Sequence, residues 1–232
     1  MKENELSQPL VSGSSHYIGT AGSKYFAWQN TNGTIAGRIE ARKFNPYIEP
    51  TDSVLDFGCG GGHILQNIEC ARRVGIDLNL SARTAAATLG IECHEGIASV
   101  PDGSFDVIIS NHSLEHVLDP IAVLADLRSK LRPAGVLLLC VPMDDWRMQR
   151  VYDRNDINHH LCTWTPQLLG NSLLEAGFDP EQFSIRILTH ACYHRALRIY
   201  GKVPAFVFDL FCRIFSVVTK RRQLLAVARK SS

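Results

Sequence analysis

No Cys-x-x-Cys pair occurs in this chain, and its seven cysteines, at 59, 70, 93, 140, 162, 192 and 212, are odd in number and scattered. That argues against a disulfide scaffold and for reduced thiols in a cytosol. No apolar run reaches the roughly 18 residues that a membrane-spanning helix requires. The opening Met-Lys-Glu-Asn-Glu-Leu-Ser-Gln lacks the apolar centre of a signal peptide, so a cytoplasmic protein is expected. Charge of one sign is also lacking: 24 basic and 23 acidic side chains leave a net +1, which provides no overall basic field for nucleic acid. Internal repeats and low-complexity tracts are absent. What remains, 232 residues with 45% apolar and 20% charged, suits one large globular α/β domain, or one with inserts.

Within the chain, short apolar runs alternate with helical patterns. Residues 1–24 are rich in Ser, Gly and Thr and read as a loose arm, followed by the aromatic Tyr25-Phe26-Ala27-Trp28. Ile35, Ile39, Phe44 and Ile48 then recur at rough helical spacing until Pro50. The division expected is an N-terminal arm and helical lid over 1–50 and a main domain over 51–232. Strands are expected at 53–57, 73–76, 91–94, 105–110, 136–141, 183–188 and 223–228. Helices are expected at 63–70, 81–89 with Ser81 as N-cap, 120–131, and 165–176 with Pro166 in its first turn and Gly177 beyond its end. This alternation implies parallel crossovers and a doubly wound sheet. Two insertions, at about 143–163 and 191–222, interrupt the rhythm.

The segment Val54-Leu55-Asp56-Phe57-Gly58-Cys59-Gly60-Gly61-Gly62-His63 is the most informative. A strand ends at an acid and a glycine turn follows, where bare backbone admits close approach of a ligand. Its spacing differs from the dinucleotide fingerprint Gly-x-Gly-x-x-Gly, because His63 stands at the third position. This disfavours a nicotinamide oxidoreductase. The Gly-Lys-Ser/Thr of a nucleotide phosphate loop is missing. An acid before the first glycine repels phosphate and suits a cationic group. Asp77, ending Val74-Gly75-Ile76-Asp77, is placed to accept from ribose hydroxyls, or else to cap the next helix.

These residues resemble the class I S-adenosylmethionine-dependent methyltransferases, in particular the broad type 11 group. The likeness covers residues 53–141 and continues more loosely to Lys230. It includes Gly75-Ile76-Asp77, the run from Val100-Pro101-Asp102-Gly103 through Ser110-Asn111-His112-Ser113-Leu114-Glu115-His116-Val117, and Leu131-Arg132-Pro133-Ala134-Gly135-Val136-Leu137. The resemblance implies a Rossmann-like sheet of seven strands in the order 3-2-1-4-5-7-6, the last antiparallel. It implies S-adenosylmethionine as cofactor, with Asp56, Gly58, Cys59, Gly60 and Gly62 cradling its methionine part. Asp77 would hold the ribose and Leu78 the adenine, and Asn111 stands at the end of the fourth strand. Ile97 occupies a position where the family often has an acid near the adenine amino group, so adenine contact falls to Ile97 and the Ala98 backbone. Methyl transfer to oxygen of a small molecule or glycan is the activity expected, with a cell-surface polysaccharide among the acceptors considered. A lipid or quinone methyltransferase, or a partner subunit that binds the cofactor without catalysis, are the alternatives.

His112-x-x-Glu115-His116 matches one zinc protease pattern, but the resemblance supplies this histidine without a metal and no third ligand is evident. No resident metal is expected. His116 is read as a general base or as a wall of the cofactor site. His159 and His160 are candidates to face the acceptor, or to pack at a helix entry against Trp164. His190-x-Cys192-x-His194 has metal-like spacing without a partner cluster. Tyr25, Phe26 and Trp28 are expected to close over the ligands or to join the core. Residues 203–218 carry an apolar stripe of Val203, Phe206, Val207, Leu210, Phe211, Ile214 and Val218, followed by Lys220, Arg221 and Arg222. Peripheral contact of 203–222 with the inner face of a membrane, a cap on the domain and a dimer interface all remain open.

Overall fold

The computed structural model describes residues 15–143, 150–190 and 199–231. Seven strands form one sheet: β1 Ser53–Phe57, β2 Arg72–Ile76, β3 Glu92–His94, β4 Phe105–Asn111, β5 Leu131–Met143, β6 Phe183–Thr189 and β7 Arg222–Arg229. Their order is β3-β2-β1-β4-β5-β7-β6, as the resemblance implied. β1 to β5 pair in parallel, whereas β7 runs antiparallel to both β5 and β6.

The helices are α1 Gly19–Asn30, α2 Gly33–Ala41, α3 Leu80–Thr88, α4 Pro120–Lys130, α5 Pro166–Glu175 and α6 Ala205–Val218. Two apolar layers sandwich the sheet. One joins Leu55, Ile108, Leu137 and Leu139 to Leu124 and Leu127 of α4 and Leu169 and Leu173 of α5. The other joins Val54, Ile109 and Leu138 to Ala41, Phe44, Leu65 and Ala86. Each fully buried aliphatic side chain contributes about 1.5–3 kcal/mol. Asp119 and Thr165 cap α4 and α5 by accepting from the backbone N–H of Ala122 and Leu168, each worth about 1 kcal/mol.

Several local expectations are corrected. The loose arm is helical from Gly19, because α1 packs on α3: Asn79 Nδ2 donates to the Gly22 carbonyl at 2.5 Å. Asn79, rather than Ser81, is the N-cap of α3, and its side chain accepts from the Ser81 N–H. The helix expected at 63–70 is only a 3-10 turn, Leu65–Asn67. Arg73 takes the Leu65 and Ile68 carbonyls with its guanidinium, so the carbonyls that a continuing helix would use are already engaged. On α6 the buried line differs from the apolar stripe. Phe208, Cys212 and Ser216 form its buried line, packed near Ile35 and Ile39, and Asp209 is held by Arg38 and Arg42. Phe206, Leu210, Phe211, Ile214 and Val218 of the stripe are exposed, which goes against a cap made by these residues and leaves membrane contact and a dimer interface open.

Candidate active site

The first two strands end side by side, and their tips make one wall of a cleft. The N–H groups of Gly58 and Cys59 both donate to the Ile76 carbonyl, at 2.8 and 3.0 Å, which ties the glycine turn to β2. Gly58 has φ +77°, and a Cβ there would collide with the Ser113 side chain. Asp77 completes the turn: its Oδ2 accepts from the Gly60 N–H at 2.9 Å and its Oδ1 from the Asn79 N–H at 2.8 Å. Burial raises the Asp77 carboxyl, while these two donors pull it back.

Asp56 lies behind this turn. Burial, reinforced by the charge of Asp77, pushes its carboxyl up to about 8. Its Oδ1 is buried without a hydrogen-bond partner among the described residues. A buried acid with an uncommitted oxygen beside a second acid suits a ligand that brings positive charge, and burial without such a partner is costly.

An open cleft lies in front of the turn. Of the residues singled out in the sequence, Gly58, Asp77, Leu78, Ile97, His112 and His116 line it. Asp56, Cys59, Gly60, Gly62, Ala98 and Asn111 are not part of that lining. Cys59 is 7% exposed and packs against Gly75, and its thiol is raised by hydrogen bonding with Cys93 and by burial. Gly62 sits over Ala86 and Ile91, where a Cβ would find no room.

The opposite wall comes from distant segments. Tyr17, Tyr25, Phe26 and Gln29 line the cleft from the N-terminal arm, whereas Trp28 is 47% exposed and does not. The Tyr17 hydroxyl is 2.7 Å from Nδ1 of His116 and donates to the Asn158 carbonyl. Burial raises this phenol, which keeps it protonated. Burial, and next the neighbouring His160, push His116 down to about 4. The two consecutive histidines diverge. His160 approaches His116, with ring centres 5.0 Å apart, while His159, at φ +52°, stacks on His16 at 4.7 Å.

His112 does not share a helix face with His116. It takes φ +54° after β4 and lies 2.9 Å from Gln223, so the protease pattern is not assembled. Instead Glu115 and His116 meet His160, a third group that local spacing did not reveal. Sequence reasoning also missed Tyr17 and His16, because nothing in a Ser- and Gly-rich arm marks them. Cys192 and His194 lie outside the described residues.

The methyltransferase-domain family profile matches residues 28–182. Aligned with a probable methyltransferase of Aspergillus luteorubrus, the chain is 31% identical over 130 residues, covering 46% of each protein. It is 35% identical over 105 residues to a ubiquinone biosynthesis O-methyltransferase of Xanthomonas axonopodis pv. citri, covering 40% of this chain and 44% of that one. The matches thus span under half the length of these curated relatives. A SAM-dependent methyltransferase of Archaeoglobus fulgidus superposes with a TM-score of 0.61 at 19% identity, over 89% of this chain and 99% of that one. The extent of the profile match, on this strand order and with this cleft, makes the chain a member of the methyltransferase-domain family, within the S-adenosylmethionine-dependent class I enzymes.

Proposed function

We propose that the chain transfers a methyl group from S-adenosylmethionine to an oxygen of a small molecule or glycan. The observation that carries this reading is the pairing of Asp56 and Asp77 behind a cleft whose far wall holds His116 and Tyr17. When bound, the cofactor supplies an electrophilic methyl on a positively charged sulfur. Asp77 would accept from its ribose, Leu78 and Ile97 would flank its adenine with the Ala98 backbone, and Asp56 with the turn Gly58-Cys59-Gly60-Gly61-Gly62 would face its cationic end. Asn111, at the end of β4, would stand behind this site. Displacement in line is mainly a matter of placement. An imidazole held near pKa 4 is a weak base at neutral pH, so its surroundings favour His116 as a wall that orients the acceptor. His160 and His159 would border the acceptor beside it. Helices α1 and α2, within the arm expected over 1–50, would act as the lid over the main domain at 51–232.

Incubation with methyl-labelled S-adenosylmethionine and a cell extract tests the proposal. A labelled product is expected. Tight cofactor binding with no labelled product would replace it with the reading of a non-catalytic partner subunit.

A specific observation favours a second acceptor class, a quinone or other lipid. Six apolar side chains of α6, Phe206, Leu210, Phe211, Ile214, Val217 and Val218, are 42–74% exposed, and Arg213, Lys220 and Arg221 are exposed near them. No described helix is long and apolar enough to cross a membrane. Such a face suits peripheral contact with the cytoplasmic side of an anionic bilayer. The relative from Xanthomonas axonopodis pv. citri, named for ubiquinone biosynthesis, agrees with this reading.

A further inference from the structure

The acceptor wall holds a cluster that methyl transfer by placement alone does not require. Nε2 of His116 lies 3.8 Å from Oε1 of Glu115. One donor atom each of Glu115, His116 and His160 fall within 4.8 Å of one another. Three ligands at about 2.1 Å from one ion stand roughly 3.4–3.6 Å apart, so the set closes on one ion by drawing together about 1 Å. Glu115 is fully buried and the His116 side chain is 13% exposed.

Hydrogen bonding decides which imidazole nitrogen faces the cluster. Tyr17 has one hydroxyl proton, and the Asn158 carbonyl, which can only accept, takes it. The Tyr17 oxygen must then accept from Nδ1 of His116. Nδ1 therefore carries the ring proton and Nε2 the lone pair. That lone pair and a buried carboxylate stand face to face, an arrangement that a cation between them stabilises. A histidine tied through one nitrogen while it presents the other is how metal-ligating imidazoles are oriented.

The geometry points to a divalent transition-metal site made by Glu115, His116 and His160, with Tyr17 as the positioning residue, on the acceptor side of the cleft. Two imidazoles and a carboxylate suit zinc, iron(II), cobalt(II) or manganese(II) better than magnesium. Three protein ligands leave coordination positions for a molecule in the cleft that His116 lines. An acceptor with two adjacent oxygens would fill them, and the ion would lower the pKa of the hydroxyl it holds. The description of the acceptor rests on the proposed transfer to oxygen; the ion site rests on the cluster alone.

The test titrates cobalt(II) and zinc(II) into the full chain after its metals are stripped, with S-adenosylmethionine affinity measured by calorimetry on the same samples. One ion per chain is expected, with cobalt giving visible absorption bands. His160→Gln is expected to weaken binding by about 100-fold, and Tyr17→Phe by about tenfold, as for loss of a group that orients a ligand. His160 is partly exposed, so this variant keeps the fold, which unchanged cofactor affinity verifies. Absence of ion binding, or binding that survives both His160→Gln and Glu115→Gln, overturns the site. Ion binding without methyl transfer to any acceptor would sink the proposed function and leave the site standing; methyl transfer by a chain that binds no ion would do the reverse.

Discussion

On one wall of the cleft, burial pushes a carboxyl, Asp56, up to about 8; on the other, burial pushes an imidazole, His116, down to about 4. The cause is shared, since desolvation penalises whichever form is charged, but the walls are built differently. The carboxylate wall comes from residues within about two dozen positions of each other, fixed by backbone N–H groups in tight turns. The imidazole wall joins Tyr17 to His116 and Asn158 across separations of 99 and 141 residues, through side-chain contacts. The first wall is rigid by construction and the second depends on docking of the arm. The first is therefore suited to a constant ligand and the second to a variable one.

The largest effect that would sharpen this comparison comes from Asp77→Ala. It removes the acceptor for two backbone N–H groups as well as the proposed acceptor for the ribose. Charged hydrogen bonds are worth about 1.5–3 kcal/mol each, so cofactor affinity should fall tenfold or more by calorimetry. An unchanged affinity would remove the ribose assignment and the contrast with it. The opposite wall gives the converse: His116→Gln should lower turnover by about tenfold, on the order expected for a lost positioning contact, while cofactor affinity stays within about twofold. A variant that lost both together would show that the two walls act as one.

A third experiment separates the walls by pH. Because the folded Asp56 carboxyl is raised to about 8, its contribution to stability is fully present below the ordinary carboxylate range and is lost as pH rises towards 8. Without cofactor, Asp56→Asn should therefore gain stability over the parent as pH rises from about 4 to 8. The folded His116 is lowered to about 4, so its contribution is present above the ordinary histidine value and is lost as pH falls towards 4. Melting curves of Asp56→Asn and His116→Gln against the parent should diverge in these opposite directions, and parallel curves would contradict the burial account. The smallest effect belongs to α6. Phe206→Ser with Leu210→Ser should change stability by less than about 0.5 kcal/mol per exposed site and leave cofactor affinity unaltered, yet abolish sedimentation with anionic vesicles. Sedimentation that persists would assign the face to another role.

Legibility in the sequence followed the same division. The glycine turn and the two acids were readable because they rest on local spacing of the strand-turn type, whereas the strand order came from the resemblance to class I methyltransferases. Ser81 was misread as a cap because Asn79 is committed both to the Ser81 N–H and to Gly22, 57 positions away. The turn after Gly62 looked helical because the guanidinium of Arg73 that diverts its carbonyls lies on the next strand. Glu115 and His116 were visible as a pattern, but their partner His160 comes from a loop that no periodicity connects to them.

Composition, apolar alternation and the run from Asp56 to Gly62 by themselves determined the class of fold and the glycine turn with its acid, because those features are set by neighbours in the chain. Tertiary structure alone decided that Tyr17 orients His116, that His160 rather than His159 meets it, and that α6 turns its apolar stripe outward. The physical reason is that contacts between segments about a hundred residues apart are selected by how the layers pack on the sheet, and the residues themselves carry no local mark of that choice.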